Sequence, residues 1–273
     1  MKTIITRTIS GLVFIILIIG SIFLGPMAFG FVFLVFLVLG MMELLSMIKI
    51  AGYKPATIPV IVTAILLYDI ILLYIWGYFP VTWIAAGVPL LFLIFIIELY
   101  RKSETPIQNI GLGFLAIFYV AVPFALMNFF FYPGMDTSVP VKGVLVGFFF
   151  IIWVNDTFAY LTGMAIGKHK LFERISPKKT IEGSIGGLIF AFVAAYILSL
   201  FFNELNLNEW LGLAAVTVVF GTFGDLVESM LKRSTNIKDS GSIMPGHGGI
   251  LDRFDSVLMA SPFVFVYLMI VLN

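Results

Sequence analysis

The chain has 273 residues, of which 61% are hydrophobic and 11% are charged. Soluble domains average about 25% charged residues, so this composition excludes an ordinary soluble enzyme, a disordered chain and a nucleic-acid-binding domain with a basic surface. The 16 basic and 15 acidic residues nearly cancel, and the absence of cysteine excludes disulfides, thiolate chemistry and Cys-ligated zinc. The composition predicts a polytopic membrane protein.

Nine apolar stretches are long enough to cross a bilayer core, which takes about 20 residues in a helix. In chain order they are residues 8–25, 27–48, 57–76, 81–100, 110–131, 142–165, 183–203, 209–230 and 256–272. The first stretch lacks a clean small-x-small cleavage site, so we interpret it as a retained helix rather than a signal peptide. The predicted fold class is an all-α polytopic integral membrane protein with about nine transmembrane helices.

The loops between these stretches alternate in charge. With a cytoplasmic N-terminus, every one of the 16 basic residues except Lys142 falls on the cytoplasmic side. Cytoplasmic loops carry an excess of Lys and Arg. The alternation therefore predicts a cytoplasmic N-terminus and a C-terminus outside.

Polar residues concentrate in the second half of what we expect to be one continuous membrane domain. Residues 1–140 are almost purely apolar helices, about spans one to five, and residues 141–273 hold the candidate catalytic helices and loops. Within the latter, residues 155–187 contain five basic residues and residues 224–255 contain four. These two segments are therefore where we look for chemistry.

Each segment begins with an acidic residue inside an apolar helix, Asp156 or Asp225. A carboxylate at that depth costs about 2.5–3.5 kcal/mol on insertion scales unless it is paired or wetted. Both residues are therefore candidate functional groups, with hydrogen bonding inside the bundle as the alternative for Asp156. Glu43 and Glu98 lie near helix ends and are expected at the membrane interface.

Helical spacing groups several polar residues of the eighth span. If the span stays helical, Asp225, Ser229 and Lys232 lie on one face, at positions i, i+4 and i+7. Lys232 also follows Glu228 by four residues, so a simple salt bridge is the alternative interpretation of this lysine.

Residues 176–187, SPKKTIEGSIGG, join two lysines, hydroxyls and glycines just before the seventh span. Glycine N–H groups and a helix N-terminus attract anions, so phosphate binding is one interpretation. Helix capping by Ser176, Thr180 or Glu182 is another. The lysines are equally typical of a topology signal or of a contact with anionic lipid.

Residues 245–255, PGHGGILDRFD, place His247 between glycines and put Asp252 and Asp255 on one helical face. Hard oxygen ligands beside lysines suit a Mg²⁺ ion that holds a polyphosphate. A solvated salt-bridge cluster is the alternative. Zinc is not expected, because there is no HExxH spacing.

The carboxylates of Asp225 and Asp252, with lysines and glycine-rich turns, are typical of phosphoryl or nucleotidyl transfer. Without a soluble domain, the site must open to both cytoplasm and lipid, which suggests a soluble nucleotide and a lipid phosphate as substrates. A transporter or flippase for an anionic substrate is the alternative, although no matched Gly/Pro-broken helices recur in the two halves.

Residues 229–255 resemble the signature of phosphatidate cytidylyltransferases, also called CDP-diacylglycerol synthases. The matching positions are Ser229, Lys232-Arg233, Lys238-Asp239, Gly241 and the run Met244 to Asp255, MPGHGGILDRFD. Met244 departs mildly from the family, which usually has Leu, Ile or Phe there. Asp156, Tyr160, the SPKKT and EGSIGG elements and the nine-span layout resemble the same family.

The resemblance implies that CTP and phosphatidic acid react to give CDP-diacylglycerol and pyrophosphate, with Mg²⁺ as cofactor. A second cation, whose identity the sequence does not give, is left open. The expected partners are these substrates and membrane lipid, without nucleic acid; a homodimer is suggested by the resemblance alone. The expected location is the inner (plasma) membrane, with the active site on the cytoplasmic side. An isoprenoid-ether phosphate as the acceptor, or a CTP-dependent lipid kinase, stays open as an alternative.

The resemblance also assigns residues. The expected metal ligands are Asp225 and Asp252, with Asp255 in support. The other expected catalytic residues are Lys232, Lys238 and His247. The expected substrate-binding residues are Asp156, Ser176, Lys178, Lys179, Thr180, Glu182, Ser229, Arg233, Gly248, Gly249 and Arg253. Which basic residues contact CTP and which contact the lipid phosphate is left open.

Overall fold

The computed structural model of the protein describes residues 2–132, 140–246 and 248–272. Most of these residues are helical, because long apolar runs satisfy their backbone hydrogen bonds within the segment. The helices are α1 (Lys2–Leu24), α2 (Pro26–Ile50), α3 (Thr57–Ile75), α4 (Gly87–Arg101), α5 (Pro106–Ala116), α6 (Val122–Met127), α7 (Gly143–Ile166), α8 (Ile181–Phe201), α9 (Leu207–Ser234) and α10 (Leu251–Leu272). Short 3₁₀ segments, Val81–Ala86 and Asn128–Phe131, adjoin α4 and α6, and a π-helical turn, Ile117–Ala121, joins α5 to α6.

Within the described residues, nine helical stretches are long and apolar enough to cross a membrane, with mean hydropathies of 1.7 to 2.5. One of them is composite, because α5, the π-helical turn, α6 and the second 3₁₀ segment run together from Pro106 to Phe131. The predicted all-α, multi-pass membrane fold is confirmed.

The last span begins earlier than predicted. α10 starts at Leu251, whereas the apolar stretch starts at residue 256. The difference arises because the first turns of α10 contain Asp252 and Asp255, which a hydropathy scan excludes. A carboxylate near a helix N-terminus is nevertheless favourable, since it faces the positive end of the helix dipole.

The described residues divide into two compact units. The first unit comprises those within Met1–Asn128 and Ser234–Arg253, and the second those within Phe129–Arg233 and Phe254–Asn273. The core of the first unit is aromatic: the ring of Phe33 packs edge-on against Phe36 and Phe124, with centroids 5.6 Å apart in each pair.

A short antiparallel hairpin in the second unit joins α7 to α8, and the sequence did not predict it. Its strands are β1 (Lys170–Phe172) and β2 (Ser176–Thr180), paired Lys170 with Thr180 and Phe172 with Ser176. Pro177 disfavours helical backbone at the residue before it, which helps to keep the SPKKT segment extended until α8 begins at Ile181. The hairpin thus holds the two lysines of SPKKT on a strand.

Small residues allow α7 and α8 to pack closely. A Cβ atom added at Gly187 would lie 2.5 Å from Asn155 Oδ1 and 3.0 Å from the Cβ of Ala159, and one at Gly183 would lie 2.7 Å from the carbonyl oxygen of Ala159. This is the small-residue packing typical of membrane helices. It fixes the N-terminal end of α8, and with it β2, against α7.

We predict that Gly187→Val lowers the thermal stability of the purified protein, because the new side chain overlaps Asn155 and Ala159. Overpacking of this kind typically costs about 1–3 kcal/mol of unfolding free energy. Thermal unfolding in detergent measures the effect as a lower Tm. Gly20→Val on α1 is the control, since a Cβ there meets nothing within 4 Å. Equal Tm values for the two variants would contradict the close packing.

Candidate active site

The second unit brings together three acidic residues from three helices: Asp156 of α7, Asp225 of α9 and Asp255 of α10. Asp255 is within electrostatic range of both other carboxylates, which repel its charge. α9 and α10 approach closely here because Gly224 has no side chain; a Cβ there would lie 2.8 Å from the Cβ of Met259. These three acids therefore share one part of the second unit. No three or more His, Cys, Asp or Glu residues in the described ranges are close enough to form a ready metal site.

Lys179 of β2 pairs with one of these three acids. Its Nζ forms an ion pair with Oδ2 of Asp225, and the two side chains are 28% and 33% exposed. The other carboxylate oxygen, Oδ1, accepts a hydrogen bond from the Ser229 hydroxyl at 3.2 Å, as the helical spacing of these two residues predicts. The ion pair connects the hairpin to α9 while remaining partly open to the surroundings.

Lys232 makes the salt bridge that was the alternative interpretation of this residue. Its Nζ lies 2.5 Å from Oε2 of Glu228, one helical turn earlier, and the Glu228 side chain is 2% exposed. A buried carboxylate that loses its cationic partner is strongly destabilised. One role of Lys232 is therefore to neutralise the buried charge of Glu228, and this role is separate from the phosphate contact expected from the sequence.

The N-terminus of α8 is capped by Thr180. Its hydroxyl oxygen accepts a hydrogen bond from the N–H of Gly183 at 3.1 Å, which satisfies one of the N–H groups that have no partner within the helix. Of the three residues considered as caps, Ser176 lies instead at the start of β2.

Glu182 connects α8 back to the end of α7. Its carboxylate accepts the backbone N–H groups of Lys168 at 3.1 Å and His169 at 3.2 Å, and it pairs with Nδ1 of His169 at 2.6 Å. The side chain of His169 is largely exposed. Glu182 therefore holds the α7–β1 connection in place.

The first unit contains the glycine-rich segment, residues 235–250, that leads into α10. Asp252, in the first turn of α10, accepts the N–H groups of Ser240 at 3.0 Å and Gly249 at 2.7 Å through one oxygen, Oδ2. These bonds fold the segment back onto the helix start and fix the orientation of the Asp252 carboxylate.

Glycine is required at two positions of this segment by its backbone. Gly246 and Gly248 have φ angles of +78° and +86°, which glycine adopts without steric cost. An antiparallel bridge joins the N–H of Met244 to the carbonyl of Gly248 at 3.0 Å and closes the turn. His247, the expected catalytic histidine between the two glycines, lies outside the described residues.

Four of the expected substrate-binding or catalytic cations are exposed: Lys178, Arg233, Lys238 and Arg253. Among the described residues, Lys178, Arg233 and Lys238 have no ion-pair partner. Solvent-exposed cations of this kind are free to approach anionic groups such as phosphates. Lys179 and Lys232, in contrast, are already bound to carboxylates.

The sequence reasoning missed the environment of Glu43 and Glu98. Both were expected at the membrane interface, but both side chains are buried in the first unit, 5% and 3% exposed. Glu98 forms an ion pair with Arg101 at 2.5 Å and accepts a hydrogen bond from Asn109 at 2.8 Å. Glu43 binds the glycine-rich segment. For both residues the sequence contained a signal of burial with polar partners: an acidic residue inside an apolar span.

Comparison with known proteins agrees with the resemblance seen in residues 229–255. Residues 5–271 match the cytidylyltransferase family. The phosphatidate cytidylyltransferase of Staphylococcus aureus is 33% identical over 266 residues, which cover 96% of this chain and 98% of that protein. The protein of the same name from Staphylococcus epidermidis is 32% identical over the same shares of both chains. That from Staphylococcus haemolyticus is 53% identical over 123 residues, 44% of this chain and 46% of its own length.

We predict that Thr180→Ala destabilises the protein by about 0.5–2 kcal/mol, the usual cost of removing a side-chain cap. Thr180→Ser keeps the hydroxyl and serves as the matched control. Thermal unfolding in detergent measures both variants. A loss of stability in Thr180→Ser as large as that in Thr180→Ala would contradict the capping role.

Proposed function

This chain belongs to the cytidylyltransferase family, and from that premise we propose that the carboxylates of Asp225 and Asp252 bind Mg²⁺ and that its exposed cations bind the phosphates of its substrates. The enzyme joins CTP and phosphatidic acid to give CDP-diacylglycerol and pyrophosphate. Such a reaction calls for residues that hold a metal ion and residues that contact phosphate groups.

The reaction is a displacement at phosphorus. A phosphate oxygen of phosphatidic acid attacks the α-phosphorus of CTP and forms a new P–O–P linkage. The bond from the α-phosphorus to the oxygen shared with the β-phosphate breaks, and pyrophosphate leaves with that electron pair. Because the attacking oxygen is already anionic, no strong general base is needed. Catalysis then depends on positioning and on neutralising charge.

Asp225 and Asp252 are the proposed Mg²⁺ ligands, with Asp255 in support. The observation that carries this proposal is the set of charges around Asp225 in the second unit: Lys179 pairs with Asp225, and Asp225, Asp156 and Lys179 all act electrostatically on Asp255. Hard carboxylate oxygens are the donors that Mg²⁺ prefers. When bound, Mg²⁺ would neutralise phosphate oxygens and stabilise the charge that develops on the leaving pyrophosphate.

Asp252 suits the same role for a different reason. Two backbone N–H groups, from Ser240 and Gly249, hold one of its oxygens and so set the direction of the carboxylate. A metal ligand whose orientation is fixed by hydrogen bonds loses less conformational entropy on binding. The carboxylate of Asp252 is thus held in one orientation within its own unit, which favours metal binding.

The exposed cations are the proposed phosphate contacts. Lys178 lies on β2, close along the chain to Lys179, while Arg233 and Lys238 flank the end of α9. Being exposed and without ion-pair partners among the described residues, they bring positive charge to the substrates without first breaking an internal bond. Lys179 and Lys232 contribute by neutralising Asp225 and Glu228.

We further assign the active site to the cytoplasmic side of the plasma membrane, with the N-terminus cytoplasmic. Support comes from the basic residues, all of which except Lys142 fall on that side in the nine-span arrangement, and from the bacterial sources of the similar proteins. The lipid substrate would then enter from the bilayer and CTP from the cytoplasm. A homodimer is proposed on the family resemblance alone.

We predict that the detergent-purified protein releases pyrophosphate from CTP when phosphatidic acid and Mg²⁺ are present. Asp225→Asn and Asp252→Asn should each lower this rate by about 100-fold or more, at or beyond the upper range for residues that merely support a metal ligand. Each substitution keeps the shape of the side chain but removes its charge. Pyrophosphate release and CDP-lipid formation are both measured.

Asp69→Asn is the matched control, because Asp69 is an intramembrane carboxylate of α3 that we assign no role in the reaction. It should keep near-normal turnover. Normal turnover in Asp252→Asn would contradict the metal role of that residue. Absence of pyrophosphate release by folded wild-type protein would contradict the assignment of substrates.

A further inference from the structure

Glu43 is a buried acid with an unusual set of partners. It lies on α2, in a span whose mean hydropathy is 2.5, and its side chain is 5% exposed. Its hydrogen-bond partners are 197 to 208 residues further along the chain, in the glycine-rich segment and the start of α10. Because a carboxylate inside an apolar helix is costly, these contacts need an explanation beyond chance packing.

Both oxygens of Glu43 are satisfied. Oε1 accepts the N–H of Ile250 at 2.9 Å, and Oε2 accepts the N–H of Leu251 at 2.9 Å and the hydroxyl of Ser240 at 3.1 Å. The N–H groups belong to the start of α10, where a helix has no internal acceptors and its dipole favours negative charge. In the described part of the chain no Lys, Arg or His forms an ion pair with Glu43.

The segment is shaped around this carboxylate. A Cβ atom at Gly241 or at Gly249 would overlap the side chain of Glu43. These two glycines therefore allow the backbone to approach the carboxylate closely enough for its N–H groups to bind. Two glycines of the signature, Gly241 and Gly249, are thus required by a side chain on a different helix, Glu43 of α2.

Ser240 joins Glu43 to Asp252. Its hydroxyl donates to Oε2 of Glu43, while its backbone N–H donates to Oδ2 of Asp252 at 3.0 Å. Gly249, which also donates to Asp252, packs against Glu43 as well. Ser240 and Gly249, whose N–H groups bind Oδ2 of Asp252, therefore both contact Glu43, Ser240 through a hydrogen bond and Gly249 through close packing.

We propose that Glu43 is a positioning residue for the reaction: it fixes the glycine-rich segment so that Ser240 and Gly249 hold Asp252 in the orientation needed to bind Mg²⁺. The proposal rests on the proposed function in one respect, the assignment of Asp252 as a Mg²⁺ ligand. Residues that orient a metal ligand typically affect metal affinity or activity by about 10- to 100-fold.

The test substitution is Glu43→Gln. An amide has one accepting oxygen and one NH₂ group, so either Ile250 or Leu251 must face a donor instead of an acceptor. We expect the Mn²⁺ dissociation constant, measured by electron paramagnetic resonance with Mn²⁺ as the probe, to rise about 10- to 100-fold. Hydrogen exchange at the amides of Ser240, Gly249, Ile250 and Leu251 should accelerate, and the Mg²⁺ concentration for half-maximal turnover should rise.

Glu98→Gln is the matched control. Glu98 is equally buried in the same unit, but its partners are Arg101 and Asn109 rather than the glycine-rich segment. It should leave Mn²⁺ affinity and exchange in residues 240–251 unchanged, even if it lowers Tm. Similar effects of Glu43→Gln and Glu98→Gln on Mn²⁺ affinity would show a general loss of stability and overturn the proposal.

Ser240→Ala is a second, milder test that does not depend on the folding of Glu43→Gln. It removes the hydroxyl bond to Glu43 and keeps the backbone N–H that binds Asp252. Mn²⁺ affinity should fall, by less than in Glu43→Gln, and combining the two substitutions should give less than the sum of their effects in free energy. Unchanged Mn²⁺ affinity in Ser240→Ala would contradict the connection.

Asp252→Asn separates failure of this inference from failure of the proposed function. If Asp252→Asn retains normal Mn²⁺ affinity, then the assignment of Asp252 as a ligand is wrong, and the role of Glu43 falls with it. If Asp252→Asn loses Mn²⁺ affinity while Glu43→Gln retains it with normal exchange, the metal assignment stands and only the positioning role is overturned.

Discussion

A charge buried inside an apolar helix bundle needs a partner, and this requirement decides how the polar parts of the protein are held. Glu43, Glu98 and Glu228 are each 5% exposed or less, and each has found donors: backbone N–H groups and a hydroxyl, an arginine with an amide, and a lysine. Leaving one such carboxylate unpaired would cost several kcal/mol.

Carboxylates, buried or partly exposed, also hold the parts of the chain that lie between helices. In the second unit the ion pair of Lys179 with Asp225 attaches the hairpin to α9, and Glu182 attaches the α7–β1 connection to α8. In the first unit Glu43 binds the glycine-rich segment. Segments that connect helices are thus held in place by carboxylates that lie on helices. Such support is what a site for nucleotidyl transfer needs, because catalysis there rests mainly on positioning.

The sequence predicted the fold class and the spans because the requirement for about 20 apolar residues is local and can be read from any single stretch. Helical spacing also predicted the contact between Ser229 and Asp225, and it offered the salt bridge of Lys232 with Glu228 as an alternative, which the structure contains. It missed the hairpin, whose strands of three and five residues are too short to leave a periodic pattern. It missed the contacts of Glu43 because its partners lie about two hundred positions away, beyond the reach of any periodic pattern along the chain.

The carboxylate of Asp252, oriented by a segment that Glu43 holds, is the proposed ligand of the metal ion on which the reaction depends. The most direct test is an experimental structure of the protein with Mn²⁺ and a non-reactive CTP analogue, in which the ion is located by its anomalous scattering. We expect an Mn²⁺ peak coordinated by Asp252, with the hydrogen bonds from Ile250 and Leu251 to Glu43 intact. A peak that is bound elsewhere, with Asp252 uncoordinated, would contradict this role.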